Sequence, residues 1–176
     1  MTPIRVVRSD ALSADERATL RALFETCWPD FAQADWDHMF PADHVLVELD
    51  GRIVSHGAVI ERELWVGDLR LRTGYVENVA TEPAFRANGY ATAVMAEIGR
   101  RIHGAFELGA LDTGRPGFYE RLGWERWRGP TAVRRAGHLI ATPEEDGAVL
   151  VRRTPSTPAL DLRARISCDD RPGDVW

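Results

Sequence analysis

Glu77-Asn-Val-Ala-Thr-Glu-Pro-Ala-Phe-Arg-Ala-Asn-Gly-Tyr-Ala91 is the stretch on which the fold turns. Its first residues close a strand-like run that begins at Leu69. After Pro83 the apolar period becomes helical, with Ala91, Val94, Met95, Ile98 and Ile102 marking an amphipathic helix from about Gly89 to His103. Arg86-Ala87-Asn88-Gly89-Tyr90-Ala91 therefore joins the end of a strand to the start of a helix. Free backbone N–H groups and the positive end of the helix dipole converge at such a junction, Gly89 lets the backbone approach a ligand closely, and Ala91 keeps the first turn clear. A pyrophosphate fits there. The competing reading of an isolated R-x-x-G-x-A match is an ordinary loop, and the position between strand and helix is what favours the anion.

Towards the N-terminus, Ile4 to Val7 reads as a strand. Ser13-Ala-Asp-Glu16 reads as a capping box ahead of Leu20, Leu23, Phe24 and Cys27 at helical spacing, with Cys27 expected on the buried face. A second short helix is expected from about Ala34 to Phe40. Val45 to Leu49 and Ile53 to Ile60 flank Asp50-Gly51, a pair suited to the positive φ angles of a type I′ hairpin turn. Beyond the central helix come a strand from Phe106 to Leu111, a short helix from Pro116 to Leu122 ended by Gly123, and strand-like Trp124 to Trp127 and Ala148 to Arg152 around a polar loop. The order predicts an α+β fold around one mixed, mostly antiparallel sheet flanked by helices.

A chain of 176 residues fits one domain, expected to span 1–176. With 44% hydrophobic and 28% charged residues it is neither disordered nor fibrous. There is no short basic start followed by an apolar block, and no apolar run approaches a membrane span, so the cytoplasm is the expected compartment. Two cysteines, Cys27 and Cys168, imply no disulfide framework, and His38, His44, His56, His103 and His138 lack metal-ligand spacing, so no metal is expected. All 22 basic residues are arginine, but the net charge of −5 makes nucleic acid a poor partner. Acids gather at Asp30, Asp35 and Asp37, at Glu144 to Asp146, and at Asp169, Asp170 and Asp174. Such clusters are usually solvated surface, yet they suit a cationic substrate.

Arg86-x-x-Gly89-x-Ala91 resembles the coenzyme A pyrophosphate loop of the GCN5-related N-acetyltransferase (GNAT) superfamily. The resemblance implies the GNAT fold with a splayed strand pair, acetyl-CoA as cofactor, a pantetheine arm paired with the backbone of Val79, Ala80 and Thr81, and a phenol near the thiol. Gly117-Phe118-Tyr119-Glu-Arg-Leu-Gly-Trp124 looks like the helix that carries it, making Tyr119 the candidate acid. Acyl transfer from a thioester expels a thiolate that a phenol O–H can protonate or stabilise. The competing role for Tyr119 is a half-buried core aromatic.

Six further segments resemble the aminoglycoside 2′-N-acetyltransferases in order: Phe31-x-x-x-Asp35-Trp36, Gly74-Tyr-Val-Glu77-x-Val79-Ala80, Leu108-Gly-Ala-Leu111, Arg128-Gly-Pro-Thr131, Thr142-Pro-Glu-Glu-Asp-Gly147 and Cys168-Asp-x-Arg-x-Gly-Asp-Val-Trp176. This implies acetylation of the 2′ amine of an aminoglycoside, with contacts at Asp30, Asp35, Glu77, Asn78, Glu145, Asp174 and the Trp176 carboxylate, and a homodimer by family analogy. A polycation does need several carboxylates around a pocket. Helix capping by Asp30 and Asp35, loop surface for Glu145 and a frayed tail for Asp174 are the plainer alternatives. Glu77 interrupts an apolar strand, which is costly unless it faces a wet or charged site. It can take the ammonium proton directly or through water, or simply anchor the substrate. At Asp112-Thr-Gly-Arg-Pro116 some relatives carry a longer, serine-rich stretch. Asp112 would face the substrate, and an additional carboxylate leaves the preferred drug open, including a smaller one such as kasugamycin. Two rival functions remain: acetylation of a polyamine, metabolic amine or peptide terminus, and a binding module without turnover.

Overall fold

The Ser13 capping box forms as the sequence predicts: Ser13 Oγ accepts the Glu16 N–H at 3.2 Å and the Glu16 carboxylate accepts the Ser13 N–H at 2.8 Å. It opens α1 (Ala14–Cys27), which follows β1 (Ile4–Arg8) and precedes a short α2 (Gln33–His38). In this computed structural model, which describes residues 2–176, the Asp50-Gly51 turn also forms, with φ of 49° and 77°, and joins β2 (Asp43–Leu49) to β3 (Arg52–Val66). β3 outruns the expected end at Ile60, because Leu64 and Val66 keep an alternation in which every second side chain is buried. β4 (Leu69–Thr81) and α3 (Tyr90–Ala105) follow, with the loop at 86–89 between them. Then come β5 (Leu108–Asp112), α4 (Pro116–Glu120), β6 (Glu125–Arg126), β7 (Thr131–Arg135), β8 (His138–Ala141), β9 (Val149–Arg153) and β10 (Ile166–Asp169).

The chain divides into two compact units, one made of the residues up to Ile60 with Val76–Arg100, the other of Glu61–Tyr75 with Arg101–Trp176. In the first, β1 pairs antiparallel with β2 (Ile4↔Val47) and β2 with β3 (Val45↔Gly57). Its core includes Leu20, Phe24, Met39, Val45, Val54, Val94 and Ile98. Gly57 is required where α3 crosses the strand: a Cβ there would lie 2.8 Å from both Ile98 Cδ1 and Val94 Cγ1.

In the second unit β5 lies parallel to β4 over Thr73↔Leu108 to Tyr75↔Ala110 and antiparallel to β9, which also pairs with β6. β10 pairs antiparallel with the end of β3 and parallel with β7, which forms a hairpin with β8. Trp127, Tyr75, Leu64, Leu71, Ile102 and Leu108 are among the large buried side chains of this unit. One expectation is corrected. The segment read as a polar loop contains the β7–β8 hairpin, whose turn is Ala136-Gly137 with φ of 48° and 81°; β10 lies in a stretch for which no element was expected. Among the described residues no helix is long and apolar enough to cross a membrane.

Candidate active site

The first unit carries the coenzyme loop. Among the described residues the parallel β4–β5 ladder stops at Tyr75↔Ala110, while β4 itself continues to Thr81. Beyond that point Val79 and Thr81 are half-buried and Ala80 is buried. The Ser55 hydroxyl donates to the Ala80 carbonyl at 3.0 Å, and the Arg86 Nε–H donates to the Thr81 carbonyl at 3.1 Å. The loop then turns through Ala87 (φ 64°) and Gly89 (φ 80°) into α3, where the Ala93 N–H donates to the Gly89 carbonyl at 3.0 Å. Asn88 braces the turn by donating from Nδ2 to the carbonyls of Phe85 and Arg86, at 3.1 and 3.0 Å. Apart from Gly89 itself and its two chain neighbours, no described heavy atom lies within 4 Å of the place a Gly89 Cβ would take. Space, left-handed backbone and the first N–H groups of a 16-residue helix thus coincide, which is the fit a pyrophosphate needs. Arg86, Ala87, Asn88 and Gly89 are exposed, and Tyr90 and Ala91 half-buried.

Just before this stretch Glu77 sits half-buried on β4, and Asn78 follows it with a left-handed φ of 48°. The Asn78 amide donates to the Asp35 carbonyl at 3.3 Å, so the structure brings these two sequence candidates together. Asp35 also serves its own helix, its carboxylate accepting the Ala32 N–H at 2.8 Å. Asp30 is exposed in the turn before α2. Cys27 is half-buried rather than buried: α1 ends there, and Sγ donates to the Thr81 carbonyl at 3.5 Å.

The second unit carries the phenol and three of the acids. Tyr119 lies on α4, 9% exposed, with Phe118 edge-on at 4.9 Å and Trp124 edge-on at 6.4 Å. Burial pushes its hydroxyl up to about 12, the nearby Arg115 opposing, so the phenol keeps its proton at neutral pH and can donate it. Gly117 is exposed and Phe118 half-buried on the same helix. Asp112, at the end of β5, is half-buried, and its Oδ1 has no hydrogen-bond partner among the described residues. Burial and the charge of Asp174 raise its carboxyl. Burial, then Asp112, Asp174 and Glu144, push Glu145 up to about 7. The charge of Asp174 thus acts on both Asp112 and Glu145, and carboxyls raised in this way gain from receiving a cation.

The C-terminus is built in. The Trp176 indole is 3% exposed and its N–H donates to Thr142 Oγ1 at 3.1 Å. The Trp176 backbone N–H donates to Asp174 Oδ1 at 3.2 Å, and Arg171 Nη2 donates to the Trp176 carboxyl oxygen at 3.1 Å. Arg62, from β3, donates to the Val175 carbonyl at 2.8 Å and lies 4.6 Å from the centroid of the Tyr75 ring. Arg62 escaped the sequence reading, and Arg171, Tyr75 and Thr142 entered it only within family segments, with no role of their own. The only signal was an arginine five residues before the carboxylate, and nothing in the sequence pairs it with β3. Among the described residues no group of His, Cys, Asp and Glu is placed to hold a metal.

Residues 9–127 match the model of the acetyltransferase (GNAT) domain. The aminoglycoside 2′-N-acetyltransferase of Mycolicibacterium fortuitum is 39% identical over 178 aligned residues, covering 98% of this chain and 91% of that one. Among solved structures, the GNAT family N-acetyltransferase YhbS of Escherichia coli, in complex with CoA, superposes with a TM-score of 0.62 at 14% identity over 96% of this chain and 91% of its own. Eis1 of Mycobacterium abscessus gives 0.63 at 17% identity over 74% of this chain, which spans only 33% of that longer protein. The chain belongs to the GNAT acetyltransferase family and, within it, to the family of the aminoglycoside 2′-N-acetyltransferases.

Proposed function

We propose that this chain, as one acetyltransferase domain over residues 1–176, transfers the acetyl group of acetyl-CoA to the 2′ amine of aminoglycosides and so confers resistance to them. The observation that carries this reading is the 39% identity, over nearly the full length, to an enzyme of that name, joined to a second unit in which burial and the charge of Asp174 raise the carboxyls of Asp112 and Glu145. Acetyl-CoA, when bound, would supply an acetyl thioester for attack by the substrate amine, with the coenzyme A thiol as leaving group. Gly89 and the α3 amides hold the coenzyme's phosphates, and the Val79 to Thr81 backbone guides its arm. Glu77 takes the proton of the substrate ammonium at its carboxylate, directly or through water. The Tyr119 O–H donates to the departing sulfur. Asp30, Asp35, Asn78, Asp112, Glu145, Asp174 and the Trp176 carboxylate bind the other ammonium and hydroxyl groups of the drug, each charge-assisted bond being stronger than a neutral one. The enzyme acts in the cytoplasm as a homodimer on a small molecule.

A thiol-release assay with acetyl-CoA tests this against polyamines, peptide N-termini and an aminoglycoside panel. Aminoglycosides should give by far the highest kcat/KM. Higher values for another amine class would replace the substrate, and no release with any amine would leave a binding module.

A further inference from the structure

Three polar side chains of the first unit form a buried file that the reaction above does not use. Ser9 Oγ lies 2.8 Å from His44 Nε2, His44 Nδ1 lies 3.0 Å from His56 Nε2, and His56 Nδ1 lies 2.8 Å from the Asn78 carbonyl oxygen. Both imidazoles are fully buried. The Phe40 ring is 5.5 Å from His44 and the Phe24 ring 5.0 Å from His56.

Counting hydrogens fixes the ring protons of the file. A carbonyl only accepts, so His56 Nδ1 carries a hydrogen. A neutral His56 then accepts at Nε2, which makes His44 Nδ1 the donor and leaves His44 Nε2 an acceptor for the Ser9 hydroxyl hydrogen at 2.8 Å, a shorter contact than the 3.2 Å from that hydroxyl to the Ala42 carbonyl. Ser9 Oγ in turn accepts the Ala42 N–H at 2.8 Å. Burial keeps both rings neutral, and the positive Arg17 also opposes a charge on His44. The file ends on a backbone carbonyl, which has no proton to hand on, so it orients rather than conducts.

What it orients is Asn78, a non-glycine residue at φ 48° between Glu77 and Val79. Asparagine enters this region more readily than other non-glycine residues, and in the middle of a strand the surroundings must still select it over extended backbone. The Asn78 side chain is held separately, by the Asp35 carbonyl at 3.3 Å and Met39 Sδ at 3.4 Å. We propose that His44 and His56 are positioning residues, a neutral Ser9–His44–His56 file that pins the left-handed kink at Asn78 and thereby aims the Glu77 carboxylate and the Val79 to Thr81 backbone. This rests on Glu77 as the base and on Val79 to Thr81 as the coenzyme strand.

The test uses the full chain labelled with ¹⁵N-histidine. Long-range proton–nitrogen correlation at neutral pH should show the Nδ1–H tautomer for both rings. His56→Phe fills the space without the donor and should lower kcat at least tenfold. His56→Asn, which keeps an N–H donor, should recover most of it. A merely structural role would lower the melting temperature of both variants without separating their kcat values. An Nε2–H or doubly protonated His56 overturns the proposal, as does a folded His56→Phe with wild-type kcat. If His56→Phe does not fold, the tautomers of the native chain decide. Should Glu77→Gln retain full activity while the tautomers are as stated, the base assignment fails and the pinned kink stands.

Discussion

Removal of Trp176 tests the anchored terminus. The indole is nearly sealed, donates to Thr142 at 3.1 Å, and fixes a carboxylate that also receives Arg171 at 3.1 Å. Deleting the residue moves the terminal charge to Val175 and frees it from those bonds. A hydrogen bond to a charged group contributes about 1.5–3 kcal/mol, and each 1.4 kcal/mol is tenfold, so kcat/KM for aminoglycosides should fall by roughly 10- to 150-fold. A C-terminal extension, which makes the carboxylate an amide but leaves the indole in place, should do similar harm. Steady-state kinetics on both variants, with coenzyme affinity measured in parallel, provide the assay. Coenzyme affinity should be little altered, since the loop that binds it belongs to β4 and α3. If both variants acetylate aminoglycosides as well as the native chain does, the tail only packs.

Other outcomes follow from single groups. Gly89→Asp puts a carboxylate into the open space at the loop and strains φ 80°, so the coenzyme dissociation constant should rise with the circular dichroism unchanged; unaltered affinity would remove the loop from the site. Tyr119→Phe should lower kcat by ~10²–10⁴, the usual value of a general acid, with drug binding intact, and near wild-type turnover with chemistry rate-limiting would end its role. His44 and His56 are held down to about 4 and about 3 by burial, whereas the unfolded chain protonates near 6.5. Between those limits the unfolded state binds more protons, so stability falls as pH drops, by up to about 1.4 kcal/mol per pH unit for each ring. The raised carboxyls of Asp112 and Glu145 act in the opposite sense, so the measurement is urea unfolding at pH 7 and pH 5 for wild type and His56→Asn. The wild type should lose more stability than the variant, and equal losses would show that the ring is not buried neutral.

Much of the fold could be read from local chemistry. The capping box at Ser13, the Asp50-Gly51 turn and the change of period after Pro83 each act within a few residues, and each formed where the sequence placed it. β7, β8 and β10 were hidden for a physical reason. The hairpin turns on Ala136-Gly137, a pair without the usual Asn or Asp, and the four residues of β8 are all exposed and give no alternation. β10 has only four residues and pairs with strands 100 and 35 residues away (Ile166↔Val66 and Ile166↔Thr131), which no local pattern encodes. At the site, the coenzyme loop was legible because one segment makes it. The Arg62 and Arg171 hold on the tail, the His44–His56 file and the left-handed Asn78 arise from long-range pairing and were not.

The central claim is tested most directly by the position of the new amide. Incubation with acetyl-CoA and a matched pair of aminoglycosides, one with an amine and one with a hydroxyl at 2′, followed by NMR of the products, should show a single acetyl group on the 2′ nitrogen of the first and no reaction with the second. Acetyl on a 3 or 6′ nitrogen, or acetylation of the 2′-hydroxyl drug, would contradict the account.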